Sequence, residues 1–554
     1  MNATKAIVLT TVLILTIPLN VLAHSDTGRV PSDTSRVPLF EGLGDHHHPI
    51  TTDSGLAQRY FDQGLVLAFG FNHHEAHRSF LQAAELNPDA AMAWWGAAWV
   101  LGPNINSAMN PENAPKAWEL LQKAEATASK ASVREQAYIN ALAKRYGPTA
   151  MENRSSRDQA FAEAMGQVAA DYPDDLDAQV IYAESLMNLT PWDYWQENGE
   201  PKAQTERLLK TLKSVLQRQP DHPHANHLLI HAVEAGDPGQ GLDAAKRLED
   251  LVPAAGHLVH MSAHIYIRVG HYHNATQANL RAIEADQRYL EQVDPQSAYR
   301  LGYVPHNYHF GWFTATLEGR SELAIRLAQE MAGMVDLDTM RLRPLTTLQH
   351  YWITPVYALV RFGKWDLILN LEEPAEDLVY PRAVYHYARG MAYTRQSKQQ
   401  AARTELERLD ELRTDPSLKW VTVWGINNSR HILEIASYSL AGEIAAADGH
   451  VEVAIDSLDR AVEREDALNY HEPPSWQYPT RQALGAILLQ ADQPERAEQI
   501  YRQDLREFPD NGWSLFGLMK ALQRQGNVQE AREVQHRFFE AWQHADLVPT
   551  ESRL

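Results

Sequence analysis

The chain has 554 residues, a formal net charge of −21 and a sequence pI ≈ 5.6, long enough for several domains or one extended repeat array. Such acidity repels phosphate backbones and anionic headgroups, which argues against nucleic acid and membrane surfaces as partners. Cysteine is absent, so disulfides, thiolate zinc sites, iron–sulfur clusters, cysteine-attached haem, blue-copper sites and a lipoprotein anchor are excluded.

Residues 1–23 have the pattern of a secretory signal: Lys5 at the start, an apolar run from Ala6 to Leu19, and Val21-Leu22-Ala23 at the cleavage positions. That run is short for a membrane span, and no later stretch approaches the roughly 20 apolar residues that crossing needs. Cleavage after Ala23 is expected, giving a periplasmic or secreted protein with no membrane insertion. Residues 24–53, rich at first in Ser, Thr, Pro, Gly and charge, read as a flexible arm. From residue 54 to 545 apolar residues recur at helical spacing with no long alternating pattern, so an all-α fold is expected. Two proline-aromatic interruptions, 190–195 and 471–476, read as lids or pocket walls, and residues 546–554 as a C-terminal tail.

Repetition is the next signal. Gln58-Arg59-Tyr60-Phe61-Asp62-Gln63-Gly64-Leu65, then Glu75-Ala76, then Ala84-Glu85-Leu86-Asn87-Pro88 resembles a tetratricopeptide repeat. Echoes stand at Tyr172-Pro173, Gln219-Pro220, Leu251-Val252-Pro253 and Phe508-Pro509, and Pro220 lies 33 residues before Pro253, close to the family's period of about 34. The resemblance implies roughly ten helix pairs over residues 54–545, stacked as a right-handed superhelical solenoid with a concave face of first helices. The strings His47-His48-Pro49-Ile50, Leu101-Gly102-Pro103-Asn104-Ile105-Asn106, His257-Leu258-Val259-His260-Met261 and Asn511-Gly512-Trp513-Ser514-Leu515-Phe516-Gly517 are similar to those of exported bacterial His-rich repeat proteins. That likeness implies a fold and a compartment.

Eleven of the 25 histidines fall between His222 and His309, in a His-rich centre at 222–318. His227, His231 and Glu234 recur at steps of four and three; so do His257, His260 and His264; His306 and His309 follow. Steps of three and four return to one helical face, within roughly 60° of arc. In the repeat register, segments 222–235, 255–269 and 300–316 are first helices of successive pairs, so their imidazoles should converge. Neutral imidazole is the commonest metal-ligand side chain. Seven imidazoles exceed one tetrahedral ion and suffice for two; an all-nitrogen set suits copper, zinc, iron or nickel, not magnesium or calcium.

The candidate metal ligands are therefore His227, His231, His257, His260, His264, His306 and His309, with one or two ions per chain, copper or alternatively zinc. Glu234 is a candidate bridging ligand, hydrogen-bond acceptor or general base. Tyr303, with Tyr266, Tyr308 and Trp312, is a candidate for an aromatic wall; Glu234 and Tyr303 are the candidate catalytic groups. Weaker candidates are His47 and His48, which could fold across the groove beside His46, and His73, on a helix start with His74 and His77 where a solvated face is expected. His222 and His224 read as first-turn residues. His24, the mature N-terminus after cleavage, could chelate through its amine and imidazole. The expected function is a copper-dependent oxidoreductase using oxygen or peroxide. Its rivals are a zinc-dependent hydrolase with Glu234 as base and a non-catalytic scaffold for a protein partner. The expected ligand of the groove is a small molecule or peptide.

Overall fold

In the computed structural model, residues 37–149, 154–196, 198–293 and 297–553 are described; the signal segment and His24 lie outside them. Helix starts follow local chemistry. Ser54, Asn72, Asp175 and Asn511 each accept a backbone N–H three residues on, opening the helices Gly55–Phe69, His73–Leu86, Leu176–Met187 and Gly512–Arg524. Among the described residues the β ladder is a single antiparallel pair, Thr422–Val423 with Asn427–Asn428, so the fold is all-α.

The helices fall into two compact units. One comprises residues 37–265 and 281–307, the other residues 266–280 and 308–553. Both are built of tetratricopeptide-like antiparallel pairs, and both use the same close-packing device. In the first, Phe80 on the helix His73–Leu86 lies against Gly64 and Gly96; a Cβ there would stand 2.7 and 2.5 Å from its ring. In the second, Tyr501 on the helix Pro494–Glu507 lies against Gly485 and Gly517, where a Cβ would stand 2.4 and 2.1 Å away. In each case the aromatic residue sits sixteen positions from either glycine. Only a residue without a Cβ admits the ring, which sets the helix spacing.

The reading of residues 24–53 as a flexible arm needs correction for the part described. Val37, Leu43 and Ile50 are buried, and Gln63 takes the N–H of Phe40 and donates to the carbonyl of Pro38, both at 2.9 Å. Tyr60 donates to the carbonyl of Val37, and the carbonyl of Gly42 accepts from Ala254 at 3.0 Å. Gly42 and Gly44 adopt φ of 81° and 74°, and a Cβ on Gly44 would meet the carbonyl of Leu251 at 2.5 Å; glycine lets this segment lie on the helix pair beneath it. Near the other terminus, Asp546 accepts the N–H groups of Ser321 and Glu322 at 2.8 and 2.9 Å, and Ser552 and Arg553 are buried.

The histidine segments alternate with intervening helices. Pro223–Val233 is followed by Leu242–Leu251; the next segment runs as Gly256–His260 and Ser262–Arg268, interrupted at Met261; Tyr272–Gln292 intervenes before a π-helical turn, Tyr299–Tyr303, that leads into Val304–Leu317. The histidines are thus on equivalent helices of consecutive pairs, which is what brings their stripes together.

Candidate metal centre

Two sets of three imidazoles assemble in the first unit. His227, His231 and His257 bring one ring nitrogen each within 4.8 Å of one another, and His260, His264 and His306 do the same. Within the second set, the Nε2 atoms of His260 and His264 stand 3.0 Å apart. The sets adjoin: ring centroids of His231 and His264 are 5.3 Å apart, and those of His257 and His260 5.7 Å. All six rings are buried, His306 being the most exposed at 8%.

Two rings of the first set are aimed by what their other nitrogen does. His227 Nδ1 donates to the carbonyl of Phe69 at 2.6 Å. His231 Nδ1 donates to Glu234 Oε1 at 2.9 Å, and His264 Nδ1 stands 2.5 Å from Glu234 Oε2 in an ion-pair contact. A proton held on Nδ1 leaves Nε2 as the lone-pair donor, the arrangement that metal-binding histidines use. The Nε2 atoms of His227 and His231 and both ring nitrogens of His257 have no hydrogen-bond partner, although such groups normally find one when buried. Burial and the neighbouring imidazoles hold His227 and His257 well below 6.5. Burial likewise lowers His231, against the pull of Glu234. These rings are therefore neutral at physiological pH.

Glu234 caps the helix Pro223–Val233 and is buried. Burial alone would raise its carboxyl, but the imidazoles of His264 and His231 outweigh that and hold it below the usual carboxylate range. Its Oε1 accepts from the first set through His231 and its Oε2 pairs with His264 of the second, so it stands behind the rings as a hydrogen-bond acceptor and counter-charge.

A second carboxylate positions the backbone. Asp286 accepts from Tyr299 Oη at 2.8 Å and Asn307 Nδ2 at 2.7 Å, and Tyr299 Oη accepts the N–H of His257 at 3.2 Å. One buried group thus fixes the start of the helix bearing His257 and the residue after His306. Nothing in local spacing marks Asp286, and sequence reasoning missed it.

Tyr303 stands edge-on to His257, ring centroids 4.7 Å apart, and its hydroxyl accepts from Asn106 at 3.3 Å; burial raises that hydroxyl's pKa. The rest of the aromatic lining comes from loops. Phe71 lies 4.6 Å from His227 and 5.5 Å from His257, and Trp192 stands edge-on to His231 at 5.2 Å. Both adopt the left-handed backbone region, φ 57° and 62°, which is rare for bulky residues and common at functional sites. Tyr266 packs with His271, and Trp312 with His309; Tyr308 is buried.

His309 belongs to neither set, a correction to its place among the ligands. A step of three from His306 leaves a side chain about 60° short of a full turn. Its ring stacks on Trp312 at 5.2 Å and meets His350 and Tyr351 edge-on. His47 forms an exposed pair with Asp62. His48 Nδ1 donates to buried Asp177 at 2.7 Å. His73 packs edge-on to Phe71, and burial lowers its pKa to about 4; His77, which bonds the carbonyl of Ala97, is lowered likewise. His73 and His77 are half-buried, while His74 is exposed as expected of a solvated face. His222 caps its own helix, as expected of a first-turn residue, and also meets His46 and Asp177, a grouping that sequence reasoning missed.

No family model matches the chain, and no curated protein is similar to it. Among solved structures it is similar to the human IFIT1 dimer with m7Gppp-AAAA, at 14% identity over 89% of this chain and 91% of that one, with a TM-score of 0.31. The hetero-tetramer of APC/C Cut9 and Hcn1 follows at 13% identity, 88% and 78% coverage and TM-score 0.29. The TPR domain of P58(IPK) shows 12% identity, 86% and 99% coverage and TM-score 0.21. Scores of this size carry no statement about activity.

Proposed function

We propose that this chain is an exported metalloprotein whose six convergent histidines hold a close pair of copper ions, and that it acts as an oxidoreductase toward dioxygen or peroxide. The observation that carries the reading is the division of the imidazoles into two adjoining trihistidine sets backed by one shared carboxylate. Six nitrogen donors with no thiolate and no inner carboxylate suit copper, and the orphaned ring nitrogens of His227, His231 and His257 fit a bound cation better than an apolar core. Copper in such a set supplies one-electron redox chemistry at a coordination position that the three imidazoles leave open.

The protein's own contribution is positional. Glu234 holds His231 in one tautomer and orientation and pairs with His264; Phe69 orients His227; Asp286, through Tyr299 and Asn307, sets the backbone of the other two helices. Burial excludes water, so a small reactant such as dioxygen fits the site's access better than a peptide. Phe71, Trp192 and Tyr303 form the wall beside the first set. A zinc hydrolase would need Glu234 as base, yet its Oε1 accepts from His231 and its Oε2 lies in an ion-pair contact with His264. Export rests on the signal pattern of residues 1–23.

The test is elemental analysis and spectroscopy of the mature protein purified from its native compartment. Two copper ions per chain are expected, with a silent or coupled Cu(II) resonance and near-ultraviolet absorption when oxygen meets the reduced protein. His260→Ala combined with His264→Ala should abolish both. Zinc at the same stoichiometry without absorption would replace the oxidoreductase by a hydrolase. Metal-free protein whose melting temperature ignores chelator would leave the scaffold, because a metal bound only by the folded state must raise that temperature.

A further inference from the structure

Away from the six histidines, a second convergence of ligand atoms lies where the N-terminal segment meets two helices. Its members come from three distant stretches. His46 belongs to the packed segment 37–53, Asp177 to the first turn of the helix Leu176–Met187, and His222 is the N-cap of Pro223–Val233. His46 Nε2 lies 3.1 Å and His222 Nε2 3.3 Å from the same oxygen, Asp177 Oδ1, and the two rings are 5.0 Å apart. The side chains of His46 and His222 are 6% and 0% exposed.

These distances fall within hydrogen-bond reach, yet none of the three atoms has a hydrogen-bond partner. The three atoms lie within 4.8 Å of one another. Ligands bound tetrahedrally at about 2.0–2.2 Å stand about 3.3 Å from one another, close to the two nitrogen–oxygen separations found here. Asp177 is held for the task. His48 Nδ1 donates to its other oxygen, Oδ2, at 2.7 Å, leaving Oδ1 for a cation. The ring of Phe69 packs on His46 at 5.2 Å and His222 at 6.1 Å, while its carbonyl aims His227, so this site and the trihistidine pair share a wall.

We propose that His46 Nε2, His222 Nε2 and Asp177 Oδ1 bind a further divalent ion of the zinc class, which fastens residues 37–53 to the two helices. Two imidazoles and one carboxylate form a borderline donor set that suits zinc, cobalt(II) or iron(II), with positions left for water. Binding costs one weak contact: His222 Nδ1 accepts the N–H of Ala225 at 3.4 Å, which places the ring proton on Nε2, and when Nε2 takes the cation that proton moves to Nδ1 and the contact is lost. The assignment does not depend on the copper reading.

The experiment is an anaerobic cobalt(II) titration of the mature, chelator-stripped chain, followed by equilibrium dialysis and visible ligand-field absorption. Three equivalents are expected, two at the trihistidine pair and one here. His46→Gln and Asp177→Asn should each remove one equivalent and its absorption and leave two. Cobalt should also slow proteolysis within residues 37–53 in the native chain but not in His46→Gln. Two equivalents that neither variant changes would overturn this site and leave the pair. One equivalent, lost in both variants, would sustain this site and remove the pair. Binding of none would overturn both. Where a variant fails to fold, the native count decides, three for the site and two against it.

Discussion

The two units bury polar side chains on the same kind of helix and use them differently. In the unit containing residues 308–553, buried charges meet protein partners: Glu443 accepts from Arg395 at 3.0 Å and pairs with Arg553, and Asp504 accepts from Ser514 and Asn511. His350 follows suit, bonding Tyr380 at 2.7 Å, whereas both ring nitrogens of His309 lack a partner and, among the described residues, stand outside any group of three ligand atoms. In the unit containing residues 37–265, His227, His231 and His257 converge on ring nitrogens that no protein group satisfies. The apolar scaffolding is common to both, down to the aromatic ring clasped between two glycines. What separates them is whether unsatisfied ring nitrogens converge on one another. Burial of a histidine is thus weak evidence for function; unsatisfied convergence is strong evidence.

The largest effect should come from breaking a closed pair. Glu443→Ala leaves the guanidinium groups of Arg395 and Arg553 without their shared carboxylate, and removing one partner of a buried ion pair costs about 3–5 kcal/mol. Urea unfolding should show that loss while the metal content of the purified variant stays at the native value. A loss below about 1 kcal/mol would mean that these charges are effectively solvated, and the contrast between the units would lapse.

A smaller effect tests Asp286, which supports the unclosed side. Burial pushes its carboxyl up to about 7, against about 3.9 in an unfolded chain. The folded protein therefore keeps a proton that the unfolded chain has released. This group's contribution is fully present below about pH 4 and is lost as pH rises through about 7. Asp286→Asn stays neutral and keeps one acceptor. Across that window the native protein should lose on the order of 1–3 kcal/mol relative to the variant, measured by urea unfolding at about pH 5 and about pH 8. Parallel stability curves for the two proteins would show that Asp286 is ionised throughout and that Tyr299 and Asn307 bond a carboxylate.

Local periodicity carried much of this arrangement. Steps of four put His227 beside His231 and His260 beside His264, and the repeat length put their helices in phase, so the grouping of both pairs was legible before any coordinates. The sets themselves were less so. His306 completes one and His257 the other, while His309, at equally good spacing, turns to Trp312; three residues along a helix do not say which neighbour a ring will find. Asp177, Asp286, Phe71 and Trp192 escaped because they reach the histidines across long sequence separations or from loops. The segment 37–53 was misread for a related reason: its glycines and prolines mark flexibility only until a complementary surface is known, and Gly42 and Gly44 turned out to permit close contact with Leu251 and Ala254.

The smallest expected effect is the most pointed. His309→Phe and His231→Phe make the same chemical change on equivalent helices. At His309 neither ring nitrogen has a partner, and the surroundings are Trp312, His350 and Tyr351. A phenyl ring of similar shape removes a buried polar group that bonds to nothing, a change that is close to neutral or stabilising, with a shift below about 1.5 kcal/mol and no change in bound metal. At His231 the same ring removes a lone pair from the first set and the donor to Glu234 Oε1, so metal content should fall and the apo protein should lose about 1–3 kcal/mol as a buried carboxylate oxygen is left without its partner. Measuring metal by elemental analysis and stability by calorimetry, with and without chelator, separates the two. Loss of metal in His309→Phe would restore that residue to the centre. Unchanged metal in His231→Phe would mean that the six imidazoles are packing like their counterparts in the other unit.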